Sequence, residues 1–153
     1  MGVLENKQLY IFDIDRTLIT SHNSNGELIW LKNMCPPFEK INDYTVKDTN
    51  GSISILHKGT REMLFYLAKQ KKDIAVRYDL QPSILIMKMF NIYSFFNSHK
   101  LLEYKTVKKE EHLKDFGECV FFDDDEKHII PAYKLDNVTV VDRKSFADWR
   151  QLL

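Results

Sequence analysis

Five aspartates stand in two short clusters, each directly behind an apolar run. Asp13 and Asp15 follow Leu9 to Phe12, and Asp123, Asp124 and Asp125 follow Val120 to Phe122. Carboxylates that converge repel one another, and a hard dication held through oxygen relieves that repulsion. Magnesium does so while keeping several waters and gripping a phosphate oxygen. Lys105 adds a positive charge in a third connection. Such a set describes a site for a metal and a phosphoryl group, because phosphoryl transfer mainly requires positioning and charge neutralisation. Taken singly, each residue has a plainer reading. Asp13 and Asp15 are ordinary loop acids, Asp125 is the N-cap of the following helix, Lys105 is solvated, and Thr17 caps a turn. Together they mean more, because acids stand at two strand ends with a lysine between them in the chain.

The elements that must position these side chains follow from the pattern of apolar residues. Leu9 to Ile14 is rich in β-formers and reads as a first strand buried on both faces. Ser21 to Gly26 is polar and turn-rich. Tyr44 to Val46 and Ser52 to Leu56 flank the turn Lys47 to Gly51 and predict a β-hairpin flap inserted after that strand. A helix capped by Thr60 carries Met63, Leu64, Leu67 and Ala68. Next come a strand at Ile74 to Val76, a helix from Pro82 to Phe90 and an aromatic cluster, Phe90, Tyr93, Phe95 and Phe96, read as core packing. Ser98 to Leu102 predicts a third strand and Thr106 to Phe116 a charged surface helix. Val120 to Phe122 is then the fourth strand, followed by a helix from about Glu126 to Leu135, a strand at Val138 to Val141, and a last helix capped by Ser145. This alternation predicts a doubly wound α/β domain with a mainly parallel sheet. Ligands of such sheets collect at the carboxyl ends of the strands, here the loops 13–17, 77–81, 103–105 and 123–126.

The chain of 153 residues fits one domain, residues 1–153, with the flap insertion spanning about 19–57. Hydrophobic residues make up 44% and charged residues 29%, which excludes a disordered chain. Lysine plus arginine and aspartate plus glutamate number 22 each, so no overall field draws nucleic acid or an anionic membrane. Cys35 and Cys119 have no metal-ligand or redox spacing, which fits a reduced cytoplasmic setting. His22, His57, His99, His112 and His128 form no local metal pair and read as surface residues.

The run Phe12-Asp13-Ile14-Asp15-Arg16-Thr17-Leu18 resembles the Asp-x-Asp-x-Thr signature of the haloacid dehalogenase superfamily, and Phe121 to Glu126 resembles its acidic fourth motif. Within that superfamily the chain resembles most the magnesium-dependent phosphatase family. That family shows Pro-Pro-Phe, Thr-Val-x-Asp and Gly in its flap, matched by Pro36-Pro37-Phe38, Thr45-Val46-Lys47-Asp48 and Gly51. The likeness runs from Leu9 to about Val141. It implies a Rossmann-like fold with no large cap domain and hydrolysis of phosphomonoesters, on a small phosphorylated substrate or an exposed phosphorylated side chain. It further implies Asp13 as nucleophile, Asp15 as general acid and base, and Lys105 holding the nucleophile and phosphate charges together. Magnesium would be held by Asp13, the Asp15 main-chain carbonyl and Asp124, with Asp123 in support, and Thr17 would steady the loop.

Two departures matter. Arg16 stands where superfamily members often carry Gly, and adds a cation that can contact substrate. Where the family has Ser-Arg-Thr after the second strand, this chain has Val76-Arg77-Tyr78, so the usual phosphate-binding hydroxyl is lost. Either Arg77 binds the phosphate instead, or the substrate differs, or activity has decayed. The last possibility keeps a non-catalytic binding or scaffold protein as the alternative. A phosphoacceptor receiver domain fits less well, because there the lysine comes late in the chain, whereas here Lys105 precedes the acidic triplet.

Overall fold

The computed structural model describes residues 4–5, 7–76, 81–96 and 117–153. In chain order these form β1 (Leu9–Phe12), β2 (Ile19–His22), β3 (Leu28–Ile29), β4 (Glu39–Asn42), β5 (Thr45–Lys47), β6 (Ile53–Leu56), α1 (Thr60–Lys69), β7 (Asp73–Val76), α2 (Gln81–Met89), β8 (Cys119–Asp123), α3 (Glu126–Ala132) and β9 (Val138–Asp142). Short 3-10 turns occur at Leu31–Asn33, Tyr93–Phe95, Arg143–Ser145 and Trp149–Leu152. No helix among the described residues is long and apolar enough to cross a membrane. The strand and helix expected at residues 98–102 and 106–116 lie outside the described residues.

β7, β1, β8 and β9 form a parallel sheet in that spatial order. Each of these strands alternates between two apolar clusters, as the two-residue period of a strand requires. Tyr10, Phe12, Ile74, Val76, Val120 and Phe122 face a large core with Met63, Leu64 and Leu67 of α1 and Ile86 and Met87 of α2. Leu9, Ile11, Ala75, Cys119 and Phe121 face a smaller core with Ala132 of α3. Helices thus cover both faces, which explains why the strands read as continuous apolar runs. Phe90 and Phe96 belong to the large core, with Tyr93 and Phe95 packed against it.

Residues 19–56 build more than the expected hairpin. β5 and β6 do pair antiparallel, but with β2, β3 and β4 they complete a five-stranded antiparallel sheet ordered β3-β2-β6-β5-β4. The polar stretch that reads as loop is partly strand, because buried Ser21 and Ser54 satisfy each other across β2 and β6 at 2.8 Å. Asn23 then closes the β2–β3 turn by accepting from the Asn25 and Glu27 amides. Asp48 does the same for the β5–β6 turn. Its carboxylate accepts from the Asn50, Ser52 and Cys35 amides at 2.8–2.9 Å, which ties that turn to the segment before β4.

Two helix caps also differ from expectation. Thr60 is the first residue of α1 rather than its cap. Gly59 holds the cap position with φ +81°, and the Thr60 hydroxyl donates to the His57 carbonyl at 2.7 Å. The last helix reduces to two 3-10 turns, and Asp148, not Ser145, caps the second by accepting from the Arg150 amide.

Candidate metal and phosphoryl centre

Register in the parallel sheet brings the two acidic clusters together. Phe12 of β1 lies beside Phe122 of β8, and the Asp13 amide donates to the Phe122 carbonyl at 3.0 Å, so the residues after Phe12 and Phe122 are neighbours. Aromatic packing fixes that register from below. The Phe12 and Phe122 rings stack with centroids 4.7 Å apart and planes 3° from parallel, and the buried Trp149 indole meets both edge-on at 5.5 and 5.2 Å. The site lies where the chain leaves β1 toward β7 on one side and β8 and β9 follow on the other, the crevice in which open α/β sheets bind ligands.

Carboxylate oxygens of Asp13, Asp123 and Asp124 all lie within 4.8 Å of one another. Asp123 is fully buried and accepts the Asp124 and Asp125 amides at 2.7 and 3.1 Å, which folds the loop back over the strand end. Burial pushes the Asp124 carboxyl up to about 6, helped by the charge of Asp123 and a hydrogen bond with it; Arg16 acts weakly in the opposite sense. A bound dication reverses that balance, since it favours the ionised form. All the donors are hard oxygens, which fits magnesium. Asp125 does what its position predicts, capping α3 by accepting from the Lys127 amide at 3.0 Å.

The loop from Asp13 to Ile19 is wound around one carbonyl. Ile14 accepts from the amides of Thr17, Leu18 and Ile19 at 3.1, 2.9 and 3.1 Å, while the Arg16 amide donates to the Ile19 carbonyl at 2.7 Å. This winding forces Arg16 to φ +64°, a conformation that an L-residue adopts at a cost of roughly 1–2 kcal/mol relative to Gly. The glycine that the resemblance leads one to expect at this position therefore has a backbone reason, and this chain carries a guanidinium there. Arg16 stacks on the Trp30 ring, 4.3 Å from its centroid, and its buried Nε has no hydrogen-bond partner among the described residues.

The carboxylate of Asp15 is not part of the three-aspartate group. It accepts the Leu31 amide at 2.9 Å, so it is held against the 3-10 turn that follows β3. Thr17 is fully buried, and its hydroxyl has no hydrogen-bond partner among the described residues; the backbone, not that hydroxyl, holds the loop. Val76 ends β7 fully buried beside Phe12 and offers no donor. Arg77 and Lys105 lie outside the described residues.

Arg143 and His57 have no signature in the sequence, yet they support the loop from behind. The buried Arg143 donates through Nε to the Thr17 carbonyl at 2.9 Å and through Nη1 to the Phe146 carbonyl at 2.6 Å, and Nη2 lies 3.0 Å from His57 Nδ1. A guanidinium has only protons to give, so His57 Nδ1 accepts and its Nε2 carries the proton toward Thr20 Oγ1, 2.5 Å away. Burial, and then the Arg143 charge, lower the His57 pKa to about 4 and keep the ring neutral. His57 is thus a structural member of the core edge rather than a surface residue. The signal available in the sequence is that Arg143 directly follows a strand end, as site loops in this fold do.

Compared with known proteins, the chain is similar to a human protein named magnesium-dependent phosphatase 1, at 23% identity over 141 residues, which span 84% of this chain and 73% of the relative. No protein-family model matches the chain. The distant likeness supports a phosphatase-type hydrolase that uses magnesium, and the three-aspartate cluster agrees with a metal site there.

Proposed function

We propose that this protein is a magnesium-dependent phosphatase of the haloacid dehalogenase type that hydrolyses phosphomonoesters through an aspartyl-phosphate. The observation that carries the reading is the convergence of Asp13, Asp123 and Asp124 at two adjacent strand ends. Asp13 and Asp124 would hold magnesium with the Asp15 carbonyl, and Asp123 would keep Asp124 in place through the amides it binds. Bound there, magnesium would neutralise charge on the phosphoryl oxygens.

In the first step a carboxylate oxygen of Asp13 forms a bond to phosphorus as the ester P–O bond breaks. Asp15 gives its proton to the departing alkoxide oxygen. In the second step Asp15 takes a proton from water, the water oxygen bonds to phosphorus, and the Asp13–phosphorus bond breaks to release phosphate. Arg16 in the same loop would meet the substrate, with Lys105 and Arg77 supplying further positive charge, while the buried Thr17 stays within the loop. The antiparallel sheet beside the site, in place of a large cap, suits a small phosphorylated molecule or an exposed phosphorylated side chain in a cytoplasmic setting.

Phosphate release from an aryl phosphate tests this reading directly. Turnover should require magnesium and vanish in Asp13→Asn. The buried Val76, which offers no hydroxyl for phosphate, favours one other reading, a catalytically silent binding protein. Magnesium binding without phosphate release would select it.

A further inference from the structure

Arg16 and Trp30 form a feature that neither the loop nor the core requires. Gly would satisfy φ +64° without strain, so the arginine is not there for the backbone. Its guanidinium makes no hydrogen bond among the described residues, and its Nε is buried without a partner. It lies over the ring of Trp30, 4.3 Å from the centroid, and that indole is 43% exposed at the edge of the antiparallel sheet. Stacking holds a guanidinium by its face and leaves its in-plane N–H groups for an anion.

The location says which part of a substrate would meet it. Leu31, next to Trp30, donates its amide to the Asp15 carboxylate, the group assigned above to protonate the leaving oxygen. The leaving group must therefore lie beside Asp15, on the side where Trp30 and Arg16 stand. The acids that would hold the metal and the phosphoryl group are at the ends of β1 and β8, within reach of the Arg16 charge, which acts on Asp124.

We infer that Arg16, oriented by Trp30, is a specificity residue that binds a second anionic group, a carboxylate or a second phosphate, on the leaving-group part of a small phosphomonoester. This rests on the reading of the site as a phosphatase centre with Asp15 as its acid. A planar fork recognises either group through two parallel N–H···O bonds. Lysine, a point charge that does not stack on indole in the same way, would serve it poorly.

The test compares three alkyl phosphates of matched chain length, one neutral elsewhere, one carrying a carboxylate and one a second phosphate, by kcat/KM at saturating magnesium. The wild-type protein should prefer one or both of the substrates that carry the second anionic group by about tenfold or more. Arg16→Gly removes the guanidinium while easing the backbone, so folding is preserved, and it should erase most of that preference. Arg16→Lys should restore only part of it, and Trp30→Leu should reduce it by about threefold or more through loss of stacking. The carboxylate and bisphosphate arms show which anion is recognised. Hydrolysis without any preference, or equal losses on all three substrates in Arg16→Gly, would overturn the inference while leaving the phosphatase reading intact. The second result would place Arg16 on the transferred phosphoryl group instead. Failure of the wild-type protein to hydrolyse any of the three, with magnesium present, would bring down both.

Discussion

Replacing Asp124 with Asn should stabilise the metal-free protein at neutral pH while weakening its hold on magnesium. The folded site pushes the Asp124 carboxyl from 3.8 to about 6. Because the folded pKa lies above the unfolded one, the folded protein binds more protons between these values, and stability falls as pH rises from about 4 to about 6. Two units correspond to about 3 kcal/mol, and solvent screening at a partly exposed carboxylate leaves roughly 1–2 kcal/mol. In chelator at pH 7.5, Asp124→Asn should therefore melt about 3–6 °C above wild type, with the gap closing near pH 4. Saturating magnesium should reverse the order, because only the intact acid set gains binding energy from the ion. The assay is thermal unfolding followed by circular dichroism, with and without magnesium, across that pH range. A variant less stable than wild type in chelator at pH 7.5, or a gap that ignores pH, would refute the reasoning.

Asp125→Asn should leave magnesium affinity nearly unchanged, because Asp125 serves as the cap of α3; titration calorimetry against Asp124→Asn checks this, and equal losses would contradict it. Arg143→Ala strips the Thr17 and Phe146 carbonyls and His57 Nδ1 of their donor and should cost about 3 kcal/mol or more in urea unfolding. A loss below about 1 kcal/mol would show that the network is idle. Gly59→Ala would place a Cβ against the Asp148 carboxylate and the Arg150 amide in a left-handed conformation, and should lower stability by about 1–3 kcal/mol on the same assay. The His57 ring should stay neutral by NMR down to about pH 4; its folded pKa lies below the unfolded value of 6.5, so its contribution to stability is present above pH 6.5 and lost as pH falls toward 4.

The parallel sheet was legible because its strands are buried on both faces and read as unbroken apolar runs, and the two acidic clusters were legible because each sits at the end of such a run. Their meeting depends on register, which one sequence does not state; the stacking of Phe12 on Phe122 supplies it. The antiparallel sheet was underestimated because its strands are short and half polar. The Ser21–Ser54 pair and the Asn23 turn make polar residues behave as core or framework, against their composition. Arg143 and His57 were hidden for a related reason: a buried arginine and a neutral histidine satisfy each other and a loop carbonyl across 86 and 126 positions of chain. Arg16 was visible as a departure, but the cause of the usual glycine appears only in its φ.

The proposed mechanism stands or falls on covalent phosphorylation of Asp13. Rapid acid quenching of the protein during turnover of a radiolabelled phosphomonoester, followed by peptide mapping, measures this directly. The expected result is a hydroxylamine-labile label on the peptide that contains Asp13, formed only with magnesium and absent from Asp13→Asn. Phosphate release that proceeds with no label on the protein, or a label on any other residue, would contradict it.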